Sequence, residues 1–289
     1  MDISGRTRIV GIFGDPVEHS LSPSMHNAAF RSLGLDYAYV PFHVSRSGLG
    51  IALKGLFALD IKGVNLTIPH KVDALKYLSW RDREVKLIGA VNTVKVNAGG
   101  LFGYNTDGKG FILSLKKDCN FNPRKKNVLI LGAGGAARAV VIKLASCGAG
   151  EITVTSPIKQ ELKQLAGDVK KRLGINIRTF LLGRSVPVAE AGRIHLLVNT
   201  TPVGMHADDP VLLLCEFFKK AGSLQLVYDV IYSPAKTRLL RTAASCGIQT
   251  SNGLGMLLYQ GALAFEIWTG RQAPVDIMRK ALLKTLGNG

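Results

Sequence analysis

Cysteine is scarce: Cys119, Cys147, Cys215 and Cys246 stand far apart in 289 residues, with no CxxC pair. That spacing offers neither a disulfide framework nor a zinc knuckle, and the six histidines never fall into HExxH or a similar ligand spacing. Reduced thiols and no metal site are the expectation. Long apolar runs are missing too. No stretch of about 18 uncharged apolar residues occurs, the best ones being interrupted by Arg138 or Glu266 and several glycines, and the opening MDISGRTRIV lacks the apolar core of a signal peptide. A soluble, unexported, cytoplasmic protein without a membrane partner is expected.

Acidic residues are the third shortage: 20 Asp and Glu stand against 37 Lys and Arg, a formal charge of +17. Such an excess raises the question of nucleic acid. The bases, however, are dispersed in short clusters (Lys116-Lys117, Arg124-Lys125-Lys126, Lys170-Lys171-Arg172, Lys219-Lys220), with no RNA-binding signature and no basic tail. No nucleic-acid partner is expected. A solvated basic surface accounts for the excess, and a positive field would equally serve an anionic small-molecule substrate and cofactor.

What is present is a globular pattern, 47% hydrophobic and long enough for two domains with real cores. Apolar strands alternate with helical periods: RIVGIFG, then a helix whose N-cap is Ser22 and whose N1 is Pro23; YAYVPFHV; GVNLTIP, then a helix from about His70; NVLILGAG, then AARAVVIKLASCG; EITVTS; IHLLVNT; LQLVYDV. The alternation predicts an α/β fold with mainly parallel sheets. The polar, proline-containing stretch at 116–127, followed at once by a buried strand, reads as a domain boundary.

The segment NVLILGAGGAARAVVIKLASCGAGEITVTS is strand, glycine-rich turn, helix and second strand, the context that a dinucleotide-binding fingerprint requires. Gly132 would permit the tight turn, Gly134 would let the backbone approach a pyrophosphate, and Ala137 fills the third small position where helix meets strand. The helix N-terminus would supply amides to the phosphates. An acid at the end of the second strand marks NAD, and a nearby base marks NADP. Here Thr155 and Ser156 end the strand, no carboxylate stands there, and the nearest base is Lys159. The missing acid favours NADP.

Polar residues recur at strand ends and helix starts: Asn65, Thr67 and Lys71 in NLTIPHK, Asn92 in GAVNT, Thr106 and Asp107 in YNTDG, Gln260 in GLGMLLYQGALAFEIWTG. Together with GDPVEHSLSP and VYDVIYSPAKTRLLRTAASCGIQTSNG, these motifs, in this order to about Gly270, resemble the shikimate dehydrogenase family. The resemblance implies reversible reduction of 3-dehydroshikimate to shikimate with NADPH, on the route to chorismate and aromatic amino acids. It implies two α/β domains with the ligands in the cleft between them: a substrate and catalytic domain of residues 1–106 plus 253–289, and a Rossmann-type NADP-binding domain of residues 107–252. Lys71 and Asp107 would be the catalytic pair. Ser20 and Ser22 would hold the substrate carboxylate, with Tyr232 reaching towards it, while Asn65, Thr67, Asn92, Asp107 and Gln260 would surround the ring hydroxyls and Thr106 would bind substrate as well. Gly132, Ala133, Gly134, Gly135 and Ala136 match the cofactor loop, and Val230 and Gly253 would complete that site. A homodimer is compatible with the family.

One departure stands out. Family members that use NADP commonly read Asn-Arg-Thr after the second strand with a further base downstream; here Ser156-Pro157-Ile158 is followed by Glu161. Either Ser156 and Lys159 substitute for the arginine, or discrimination between NADP and NAD is poor. An NAD-using enzyme acting on quinate as well as shikimate is therefore the nearest alternative, and a non-catalytic, cofactor-binding regulatory or nucleic-acid-associated protein a remote one.

Read without the family, hydroxyls at a helix N-terminus make a suitable carboxylate site, because amides and dipole both favour an anion. Lys71, in the first turn after Pro69, would be pushed towards neutrality by desolvation and towards its charged form by Asp107, leaving proton carrier and cationic stabiliser both open. Gln260, inside an apolar helical run, needs a partner: a substrate hydroxyl or a buried carbonyl. His19 and His26 read as surface or packing residues.

Overall fold

The computed structural model describes residues 3–182 and 188–287. The chain divides into two compact units, Met1–Gly110 with Leu257–Gly289, and Phe111–Met256.

The first unit contains β1 (Arg8–Gly14), α1 (Ser22–Ser32), β2 (Tyr37–His43), α2 (Leu49–Ala58), β3 (Gly63–Leu66), α3 (His70–Asp73), β4 (Trp80–Arg81), α4 (Arg83–Ile88), β5 (Thr93–Asn97) and β6 (Gly100–Tyr104). Its sheet runs β2-β1-β3-β5-β6-β4. The pairs β1–β2 and β1–β3 are parallel, whereas β3–β5 and β5–β6 are antiparallel. The sheet is thus mixed, because residues 98 and 99 are too few for the crossover a parallel pair needs and close a hairpin instead. Strand alternation sorts β3 into two faces. Val64 and Leu66 join the α2 residues Leu49, Leu53 and Leu56 in one core, while Asn65 turns the other way and meets Tyr39.

The second unit follows α5 (Asp107–Lys117), which the unit boundary crosses after Gly110. It contains β7 (Val128–Leu131), α6 (Gly135–Ser146), β8 (Ile152–Ser156), α7 (Lys159–Leu173), β9 (Arg178–Leu181), β10 (Leu196–Asn199), α8 (Cys215–Lys219), β11 (Leu226–Asp229), α9 (Arg238–Ser245) and β12 (Gln249–Ser251). Every pairing in its sheet, β12-β11-β10-β7-β8-β9, is parallel. Strands β7 and β10 are buried throughout, as parallel strands covered on both faces must be. Residues 116–127 lie inside this unit rather than at its edge. The reason is α5, whose Phe111 packs edge-on against Tyr228 and whose Ser114 accepts a hydrogen bond from the Tyr228 hydroxyl at 3.0 Å.

The chain returns to the first unit within α10 (Leu254–Thr269) and ends in α11 (Val275–Gly287). The Trp268 indole of α10 donates to the Val94 carbonyl at 3.0 Å, and Phe265 stacks on Phe30 of α1. His26 of α1 is fully buried, stacked on Tyr39 at 4.4 Å with both ring nitrogens unpartnered. Burial holds its pKa down at about 3, so it is a neutral packing residue.

Candidate active site

In the first unit, Lys71 projects from the single turn of α3, which the carbonyl of Lys71 ties to the residues leading into β5 by accepting from Val91 N at 2.8 Å. Its Nζ donates to Asp107 Oδ2 at 2.7 Å, with side-chain exposures of 25% for the lysine and 8% for the aspartate. Asp107 is the first residue of α5 and not a loop aspartate; its backbone N–H donates to Asn105 Oδ1 at 3.1 Å. A carboxylate in the first turn also lies at the favourable end of the helix dipole.

The other carboxylate oxygen, Oδ1, accepts from Asn92 Nδ2 at 2.8 Å. Asn92 is almost fully buried and holds the cluster together. Its amide group also meets Thr106 Oγ1 at 2.9 Å and Gln260 Oε1 at 3.3 Å, and its Oδ1 accepts from Thr106 N at 2.9 Å and from the Thr93 hydroxyl at 3.1 Å. Gln260 Nε2 donates to the Leu257 carbonyl at 3.0 Å, so a backbone carbonyl of its own helix satisfies one end of the amide and the polar cluster the other.

A second line of donors reaches the cluster from β2. The Tyr39 hydroxyl, beside Ser22, donates to Asn65 Oδ1 at 2.8 Å, Asn65 Nδ2 donates to Thr93 Oγ1 at 3.0 Å, and the Thr93 hydroxyl donates to Asn92 Oδ1 at 3.1 Å. Every proton in this chain points towards Asp107, so each bond polarises the next. Burial raises the Tyr39 pKa, which keeps the phenol a donor. Asn65, Asn92, Thr106, Asp107, Gln260 and Lys71 therefore form one network, and Ser22 lies beside it next to Tyr39. Tyr39, Thr93 and Asn105 belong to it as well, and motif reading missed them. Thr93 and Asn105 sit inside GAVNT and YNTDG and were within reach, whereas nothing in YAYV marked Tyr39.

Ser20 and Thr67 stand apart from the network. Ser22 is not the N-cap: Leu21 holds that position, no side chain caps the helix, and Ser22 opens it with a buried side chain. Ser20 does the local work instead, its half-buried Oγ accepting from Ser22 N at 3.3 Å, because Ser22's own hydroxyl faces Tyr39. Thr67 is half-buried, its carbonyl accepting from His70 N at 2.9 Å and its methyl close to Gly14. His19 is exposed.

In the second unit the glycine loop joins β7 to α6. Gly132 has φ +100°, and a Cβ there would come within 2.8 Å of Thr200 Oγ1. Ala133 is buried, Gly134 is the N-cap of α6, and Gly134 and Gly135 are exposed with open space where a Cβ would stand. Ala136 is half-buried behind them. An exposed N-terminus of twelve helical residues with no side chain in the way fits a dinucleotide pyrophosphate. Strand ends β10 and β11 are braced by Asp229, which accepts from Asn199 Nδ2 at 3.0 Å and Thr237 Oγ1 at 2.7 Å. Val230 N donates to the Asn199 carbonyl at 3.0 Å, and Gly253 lies so near Val230 that a Cβ would reach its carbonyl oxygen at 1.9 Å. Tyr232 follows β11 half-buried, its pKa raised by burial.

Ser156 and Lys159 do not converge. Lys159 is exposed at the start of α7. Ser156 is buried, and its Oγ accepts from Ile158 N at 3.2 Å and donates to Glu161 Oε2 at 3.3 Å. Thr155 is fully buried with its hydroxyl unpartnered. Among the described residues no group of His, Cys, Asp and Glu could hold a metal, and no helix is long and apolar enough to cross a membrane.

Comparison with known proteins places the chain among its relatives. Residues 12–94 match the family model of the shikimate dehydrogenase substrate binding domain, and residues 253–283 that of the shikimate 5'-dehydrogenase C-terminal domain. A shikimate dehydrogenase (NADP(+)) of Geobacter sp. strain M21 is 47% identical over 292 residues, covering 100% of both chains. A crystal structure of a shikimate dehydrogenase in complex with NADP+ superposes with a TM-score of 0.89 at 38% identity, over 99% of this chain and 98% of that one. The shikimate 5-dehydrogenase of Listeria monocytogenes, in complex with shikimate and NAD, gives a TM-score of 0.86 at 36% identity and 98% coverage of each. With full-length identity at this level, over a chain whose polar residues close into one buried network, the protein belongs to the shikimate dehydrogenase family.

Proposed function

We propose that this protein is a shikimate dehydrogenase that reversibly reduces 3-dehydroshikimate to shikimate with NADPH, serving the synthesis of chorismate and aromatic amino acids. The observation that carries the reading is the Lys71–Asp107 pair with Asn92 and Gln260 beside it, in a chain related over its full length to proteins of that name.

NADPH, when bound, supplies the hydride for the carbonyl carbon. The chain's residues supply the proton and hold the substrate. Lys71 Nζ carries three protons and gives only one to Asp107, so another is available to the carbonyl oxygen as it gains charge. Asp107, fixed from the other side by Asn92, aims the ammonium. In the oxidation direction the same lysine receives the alcohol proton. The amides of Asn65, Asn92 and Gln260 and the hydroxyls of Thr67 and Thr106 orient ring hydroxyls, and Ser20 with Ser22 at the N-terminus of α1 holds the carboxylate, where helix amides favour an anion. Residues 132–136 hold the pyrophosphate, with Val230 and Gly253 lining the same unit's strand ends. On this reading the first unit is the substrate and catalytic domain and the second the cofactor domain. A homodimer in the cytoplasm completes the proposal, checked by light scattering and fractionation.

The test is nicotinamide reduction followed by absorbance, with shikimate and quinate each paired with NADP and NAD. A leading rate with shikimate and NADP is expected. Silence in all four, from folded protein, would overturn the reading.

A further inference from the structure

The end of β8 is where a Rossmann-type unit reads the 2′ position of the adenosine ribose: a base there welcomes a 2′-phosphate, and a carboxylate accepts a hydrogen bond from a 2′-hydroxyl. Among the described residues, this chain offers a phosphate little at that end. Pro157 has no N–H, Ile158 N already donates to Ser156 Oγ, and the Ser156 hydroxyl proton is directed at Glu161. Arg138, in the first turns of α6, is ion-paired with Asp168. Among the described residues, the exposed cations nearest in sequence are Lys159 and Lys163 on α7. Glu161, by contrast, is half-buried in the first turn of α7 and anchored through Oε2 by Ser156 at 3.3 Å, and an ionised carboxylate offers only acceptors.

We propose that Glu161, positioned by Ser156, reads the ribose 2′ position, accepting from the 2′-hydroxyl of NAD and repelling the 2′-phosphate of NADP, so that the protein uses NAD alongside NADP. This rests on the cofactor site of the function proposed above and names the residue that sets its selectivity. A carboxylate facing a phosphate of nearly two negative charges, at a solvent-exposed separation of about 5 Å, is worth about tenfold in affinity. The lysines on α7 offset part of that, which is why NADP is still bound. No such repulsion acts on a hydroxyl.

The experiment measures Kd for NADP and for NAD by calorimetry, and kcat/KM for each with shikimate, in the wild type, Glu161→Gln, Glu161→Lys and Ser156→Ala. The wild type should bind the two cofactors within about tenfold of each other. Glu161→Gln should raise the NADP-to-NAD affinity ratio about tenfold, Glu161→Lys further, and Ser156→Ala in the same direction by less. The isosteric glutamine variant, with its melting curve as a folding control, keeps the test open if the lysine variant misfolds. A ratio unchanged within about twofold in folded Glu161→Gln overturns the proposal, as does a wild type that excludes NAD outright. Binding of both cofactors without shikimate turnover would overturn the proposed function and leave this inference to the affinity ratios alone.

Discussion

Replacing Asp107 with Asn keeps the shape of the side chain and removes its charge, which makes it a sharp probe of the Lys71–Asp107–Asn92 cluster. Both neighbours are donors: Lys71 Nζ at 2.7 Å on one oxygen and Asn92 Nδ2 at 2.8 Å on the other. An aspartate accepts both, whereas an asparagine has one acceptor and one donor, so one contact becomes N–H against N–H whichever way the amide turns. Loss of a charge-assisted hydrogen bond costs about 1.5–3 kcal/mol, and breaking a fully buried ion pair about 3–5 kcal/mol. The Lys71 side chain is 25% exposed and can recover some hydration, which brings the expectation to about 2–3 kcal/mol. That corresponds to a fall of roughly 4–10 °C in the melting of the first unit. The rate should suffer more than the fold, because the lysine loses its aim as well as its partner, and kcat should drop by about two to four orders of magnitude with a modest change in KM. Calorimetry and steady-state kinetics read the two effects. A double-mutant cycle with Lys71→Met should return a coupling of at least about 1 kcal/mol. A melting point within about a degree of wild type, or a coupling near zero, would refute the reasoning.

Three further perturbations have defined outcomes. His26, buried and neutral with a pKa of about 3, lets the unfolded chain take up a proton first as pH falls below 6.5. The stability it allows is complete above 6.5 and is lost by up to about 1.4 kcal/mol per pH unit as pH falls towards 3; His26→Phe should flatten that slope in urea titrations, and parallel curves would count against it. Gly132→Ala, with φ +100° and a Cβ 2.8 Å from Thr200 Oγ1, should cost about 1–3 kcal/mol of stability, whereas Gly134→Ala meets open space and should melt normally while weakening cofactor binding; equal melting points would contradict the contrast. The Cys215 and Cys246 sulfurs lie 2.9 Å apart, so glutathione disulfide, reduced to two thiols in the exchange, should join them and remove two of the four protein thiols, as read by peptide mapping; reaction at Cys147 alone would be the contrary result.

The alternation of strands and helices, the glycine loop and the chemistry-bearing motifs were legible in the sequence because each depends on neighbours within a few residues: an apolar period, a proline at a helix start, a glycine where φ must be positive. The limits follow from the same fact. Whether Ser22 or Ser20 serves the backbone at α1 was settled by where the helix starts: Ser22 is its buried first residue, and Ser20 accepts from Ser22 N. The polar stretch at 116–127 looked like a boundary, yet the units part inside α5, since Phe111 and Ser114 find partners on Tyr228. Ser156 looked free to bind a phosphate until α7 brought Glu161 onto it. The sequence by itself determined which elements form and which residue types stand at their ends. Tertiary structure alone decided that Asn92 meets Asp107 fifteen residues on and Gln260 168 residues on. Hydrogen bonds are directional and short, so which donor meets which acceptor is set by strand register and helix docking.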